Sequence, residues 1–240
     1  MARPSSSTRN ACRFIPTPAE YSKAINLYSE ALQIYTDVGD LREKALTLCG
    51  LANVHQFQFA YSEAINLYSE ALQIFTEVGD HNERASTLWS FAEVHRSRRE
   101  YNEATKLYSE ALQIWTEIGN RQSRGAALWG LAEVHRAVQE YDEATKLYSE
   151  AMQIFTDVGH KYWRAHTLMS LAETNQQQGH PGEAVSLYTE ASEVWDEMGD
   201  EKHASDALEN AAHIRMTLQE ATTDSAETAE VGEDPLPTLG

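Results

Sequence analysis

Apolar residues return along this chain at steps of three and four, in two stripes that alternate. One stripe runs through Leu88, Phe91, Ala92 and His95, and the next through Tyr101, Ala104, Tyr108, Ala111 and Leu112. That spacing collects each set on one side of an α-helix, so the pattern predicts two successive amphipathic helices. The double stripe then repeats every 40 residues. Its plainest mark is the octapeptide LYSEALQI at Leu27–Ile34, Leu67–Ile74 and Leu107–Ile114, with LYSEAMQI at Leu147–Ile154 and LYTEASEV at Leu187–Val194. A period of this length signals a solenoid, in which each helix pair buries its apolar face on the next.

The breaks between stripes fit helix ends. Gly39-Asp40, Gly79-Asp80, Gly119-Asn120, Gly159-His160 and Gly199-Asp200 each follow a second helix. Glycine closes a helix in the left-handed conformation, and Asp or Asn caps the next one. Asp40 with Glu43 and Asp80 with Glu83 have capping-box spacing, whereas His160 is a poor cap. The organisation expected is an all-α superhelix of about ten antiparallel helices. Residues 1–20, with Pro4, Pro16 and Pro18 and no stripe, read as a disordered segment. The array spans 21–219: a lone second helix at 21–38, four helix pairs at 41–198 and a more polar capping helix at 201–219. Residues 220–240, acid-rich and without a base, read as a disordered tail. The helix at 21–38 lacks a preceding partner. Its bare apolar side implies either self-association or a place within a longer array.

The recurring positions resemble the tetratricopeptide repeat. That family's small and aromatic residues, and its Tyr-x-x-Ala-x-x-x-Tyr-x-x-Ala-Leu signature, match Leu88, Ala92, Tyr101, Ala104, Tyr108, Ala111 and Leu112. The long period is similar to that of G-protein-signalling modulator and kinesin light chain arrays. Two departures stand out: the glycine of the turn inside each repeat survives only as Gly179, and His55, His95 and His135 replace a first-helix aromatic. The resemblance implies a right-handed superhelix, a protein-interaction role and a concave face lined by the first helices.

Composition narrows the partners. The net charge of −18 disfavours nucleic acid and anionic membrane surfaces and favours a basic or apolar protein or peptide. No stretch of 18 apolar residues occurs, so no membrane span is expected. Two cysteines, Cys12 and Cys49, form no disulfide framework and no metal-ligand spacing, which fits a cytoplasmic protein.

Candidate chemistry is sparse. The sequence contains no phosphate loop, dinucleotide fingerprint or nucleophile elbow, so no enzyme and no cofactor is expected. His55, His95 and His135 stand one repeat apart, too far to share a metal, and read as packed core rings with depressed pKa values. Glu30, Glu70 and Glu110 read as a solvated face, and Arg96, Arg98 and Arg99 as a local salt-bridge cluster. On the first helices, the stripe expected to face the concave side is Cys49, Asn53, Gln56; Trp89, Glu93, Arg96; Trp129, Glu133, Arg136; and Met169, Glu173, Gln176. Tryptophan and arginine are enriched in binding hot spots, which makes this the candidate partner-binding surface. The other reading is that both tryptophans pack between repeats and the Glu–Arg pairs are intrahelical. A Lys and Asn clamp for chaperone tails is absent at these positions. An alternative function is the sensor region of a signal-transducing nucleotide-binding receptor, which arrays of this type also resemble.

Overall fold

The computed structural model describes residues 18–230, which form ten α-helices and no strand. The chain divides between Arg99 and Glu100 into two compact units. The first holds α1 (Pro18–Val38), α2 (Leu41–Phe57), α3 (Tyr61–Val78) and α4 (His81–Ser97). The second holds α5 (Tyr101–Glu117), α6 (Arg121–Ala137), α7 (Tyr141–Asp157), α8 (Lys161–Gln177), α9 (Pro181–Glu197) and α10 (Glu201–Glu230). Within each unit every helix packs on its neighbours along the chain.

The helix ends follow the expected chemistry. Gly79 closes α3 at φ +76°, and Asp80 then accepts the Glu83 amide at 3.1 Å. Asp40 accepts the Glu43 amide at 3.1 Å, and Asn120 the Ser123 amide at 3.2 Å. His160 does cap α8, but through Nδ1 at 3.4 Å from the Trp163 amide, the longest of these bonds. The turns inside the repeats are also left-handed. Gly179 occupies one of them, while Phe59, Arg99 and Gln139 hold φ values of 60°, 61° and 65° in the others.

Both units are built on one recurring core joint. Leu48 shares a cluster with Ala71, Ile74 and Phe75 in the first unit. Leu128 does the same with Ala151, Ile154 and Phe155, and Leu168 with Ala191, Val194 and Trp195, in the second. The octapeptide supplies the second-helix side of each joint. Small residues let the next first helix approach its tyrosine: a Cβ at Gly130 would stand 2.5 Å from the Tyr108 ring.

Three expectations change. The array starts at Pro18 rather than residue 21, and α10 continues past Gln219 to Glu230, so helix replaces the first part of the expected tail. Ala221, Ala226 and Ala229 are strong helix formers and suit this extension. The remaining stretches of expected disorder, residues 1–17 and 231–240, lie outside the described residues. His55, His95 and His135 are half-buried, not core, because the first-helix C-termini open toward solvent. His135 instead meets Glu140 at 2.6 Å, and His95 packs on Phe91. The buried member of that column is Asn175, which donates to the Leu171 carbonyl at 2.9 Å.

Candidate functional site

In the second unit, α6 and α8 bring five stripe residues together, and α7 braces them. Arg136 donates from Nη2 to Glu133 at 2.7 Å, one turn back on α6, and from Nη1 to Glu173 on α8 at 3.0 Å. The Tyr148 hydroxyl, from the octapeptide copy on α7, donates to the other Glu133 oxygen at 2.5 Å. Glu133 is thus 6% exposed and supported on both oxygens. Trp129 donates its indole N–H to Ser170 Oγ at 3.3 Å and stands edge-on to Trp163 at 5.5 Å. Met169, half-buried, packs against two core clusters that α8 shares with α9 and α10.

The electrostatics of this row are uneven. Burial opposes the charge of Glu133, but Arg136 and the Tyr148 hydroxyl outweigh it and hold the carboxyl below its usual range. Burial likewise opposes the charge on Arg136, and Glu133 restores it so that the guanidinium is held charged. Burial, reinforced by Glu133, pushes the Tyr148 phenol well above its ordinary value. Glu173 shifts the opposite way from Glu133: burial raises it and Arg136 only partly relieves it. One arginine therefore serves two carboxylates and satisfies the inner one first. The outer one keeps a half-exposed side chain on the face.

The first unit repeats the scaffold with different side chains. Tyr68 donates to Asn53 Oδ1 at 2.5 Å, and Gln56 Oε1 lies 3.3 Å from the same hydroxyl. Asn53 is exposed, Trp89 is half-buried, and Arg96 pairs with Glu93 at 2.6 Å. Cys49 lies against the Thr87 hydroxyl at 3.3 Å, and burial pushes its thiol up to about 11. That makes it a poor nucleophile. The intrahelical reading of both Glu–Arg pairs is correct, and Arg136 additionally bridges to the next repeat. For Trp129 the packing role is present too.

Two features escaped the sequence. The octapeptide tyrosines Tyr68 and Tyr148 do more than fill space, because their hydroxyls reach the first-helix stripe at Asn53 and Glu133. The second is an aromatic–histidine cluster of Tyr162, His166, Trp195 and His203. His203 stacks on Trp195 at 4.7 Å and pairs with Asp200 at 2.7 Å, and His166 stands edge-on to Trp195 at 5.1 Å. Trp195 holds the repeating core position of Phe75 and Phe155, but Tyr162 and His166 replace unlike residues of the earlier repeats, which is why periodicity does not reveal the cluster. Among the described residues no group of three or more His, Cys, Asp or Glu is placed to hold a metal ion. None of their helices is long and apolar enough to cross a membrane.

The tetratricopeptide-repeat family model matches residues 19–77, 43–117 and 123–197. This chain belongs to the tetratricopeptide-repeat family. No curated protein sequence matches the chain. Solved structures share the fold at low identity. BtubC (BKLC) from P. vanneervenii is 18% identical with a TM-score of 0.65, covering 94% of this chain and 97% of that one. A putative kinesin light chain from Podosopora anserina with nearly identical TPR-like repeats is 17% identical, with a TM-score of 0.63 and coverage of 78% and 92%. The apo form of RapI is 19% identical, with a TM-score of 0.70 and coverage of 88% and 84%. These likenesses establish the alpha-alpha superhelix as the fold class of the tetratricopeptide-repeat chain. That fold suggests a protein-interaction scaffold.

Proposed function

We propose that this tetratricopeptide-repeat chain is a non-catalytic scaffold that holds a peptide or partner protein along its first-helix face, the concave face such arrays present. The observation that carries the reading is the Glu133–Arg136–Glu173 row, clamped from behind by Tyr148. A row fixed before binding loses little side-chain entropy when a ligand arrives, so its polar groups contribute net affinity. Trp129 and Met169 flank it with half-buried apolar surface. Trp89, Glu93, Arg96 and Asn53 offer the corresponding groups in the first unit. Glu173 faces outward with an incompletely neutralised carboxylate, and the chain carries −18 overall. The partner that fits is an apolar segment bearing basic residues.

Selection of displayed random peptides on the wild-type protein supplies ligands for the test. Glu173→Arg should weaken the selected peptides tenfold or more. Glu143→Arg, on the exposed side of α7, should leave them unchanged, with helicity intact in both variants. Equal affinity for all three proteins would place binding elsewhere.

A further inference from the structure

The two terminal helices expose the residues that every internal joint buries. Ile34 on α1 stands 40 residues before Ile74, yet it is 58% exposed where Ile74 is 7% and Ile154 is 5% exposed. Leu208 on α10 stands 40 residues after Leu168, yet it is 47% exposed where Leu48, Leu128 and Leu168 are 1%, 3% and 0% exposed. Leu27 on α1 is exposed as well, and α1 has no buried residue. Around Leu208, Ser205 and Ala212 keep the small residues of Ala165 and Ala172 but lie open to solvent. An open groove of about 480 Å³ between α9 and α10, lined by Ser192, Asp196, Glu201, Ala204, Ser205 and Leu208, is the space that a following second helix would enter.

The two bare faces are complementary to each other. In three internal pairs, α2–α3, α6–α7 and α8–α9, a first-helix leucine shares a core cluster with a second-helix Ile or Val: Leu48 with Ile74, Leu128 with Ile154, and Leu168 with Val194. Among the described residues, α10 is a first helix with no second helix after it, and α1 is a second helix with no first helix before it. We propose that α10 of one molecule docks on α1 of a second copy, so that helices from two molecules form one further helix pair with Leu208 against Ile34. A contact of this kind is head-to-tail, leaving a free face at each end for further copies. It involves the ends of the array and does not rest on the peptide-binding reading above.

Charge tunes the joint downward. Internal pairs add Lys44–Glu70 at 2.8 Å and Arg164–Glu190 at 2.5 Å, and further along Arg121–Asp157 at 2.7 Å and Lys161–Glu197 at 3.0 Å. At the intermolecular joint the first type becomes Ala204 opposite Glu30, and the second becomes Glu201 opposite Asp37. The apolar register matches while the ionic register repels, so association strengthens as salt screens the acids.

Sedimentation of the full chain over a concentration series tests this. The wild-type mass should rise past the dimer at high concentration and rise further with added salt. Ile34→Asp and Leu208→Asp, both at exposed positions, should each be monomeric and folded by circular dichroism. Their equimolar mixture should form a dimer and nothing larger, because one intact face remains on each partner. Glu201→Lys should tighten wild-type association about tenfold. A wild-type chain that stays monomeric overturns the proposal. So does a Leu208→Asp variant that associates like wild type, the sign of an α1–α1 contact, or a mixture that gives no dimer.

Discussion

Glu133 shows what a single buried carboxylate contributes to this architecture. Its two oxygens take the Tyr148 hydroxyl and the Arg136 guanidinium. Removing one partner of such a group leaves the other charge uncompensated, which typically costs about 3–5 kcal/mol for a buried pair. Because Arg136 keeps Glu173, Glu133→Ala should cost somewhat less, about 2–4 kcal/mol in denaturant unfolding. The sign with pH is fixed by the depressed folded pKa. Stability from Glu133 is present above the unfolded value near ~4.3 and is lost as pH falls through the folded value, so the penalty of Glu133→Ala should shrink under acid. The histidine that carries pH dependence is His166, a residue that the repeat gave no reason to single out. Burial, helped by His203, lowers its pKa. A lowered histidine loses stability as pH falls from the unfolded value near ~6.5 toward the folded one. The thermal midpoint should therefore drop less between pH 7.5 and 5.5 in His166→Phe than in the parent.

At the scale of the element, helices and joints were readable because each relies on a local rule that recurs in phase. The octapeptide fixed the second helices, Gly79 and its counterparts fixed their ends, and Asp40, Asp80 and Asn120 fixed the starts of the first helices. The end of α10 was not readable, since an acid-rich, alanine-containing stretch satisfies both a solvated helix and a solvated coil. The stripe on the first helices was readable as a list of positions. Its connections were not, because whether Arg136 reaches Glu173, 37 residues on, depends on how α6 and α8 pack. The turns inside the repeats hold a cost visible only in the backbone. Phe59, Arg99 and Gln139 adopt the left-handed region that the family usually assigns to glycine. Side chains with a Cβ lose about 1–2 kcal/mol there, offset in part by the greater unfolded entropy of glycine. Gln139→Gly should therefore raise unfolding stability by about 0.5–1 kcal/mol, and Gly179→Ala should lower it by about 1 kcal/mol. A destabilised Gln139→Gly would mean that its side chain contributes contacts worth more than the backbone relief.

For the whole molecule, one design serves two purposes. The octapeptide face repeats because each joint requires the same fit, and two of its tyrosines, Tyr68 and Tyr148, hold polar groups of the first-helix face, which varies from repeat to repeat. LCGLAN, LWSFAE, LWGLAE and LMSLAE are where the repeats differ and where the proposed contacts lie. Four of the five tryptophans report on this division directly. Trp89 and Trp129 belong to the stripe and are half-buried, whereas Trp115 and Trp195 are 3% and 1% exposed within the core. The most direct measurement is a titration of the indole N–H resonances of the labelled protein with a peptide selected on the wild-type chain. Binding along the first-helix face predicts that the Trp89 and Trp129 signals move while those of Trp115 and Trp195 stay in place. Saturable binding that leaves Trp89 and Trp129 unmoved would contradict the account.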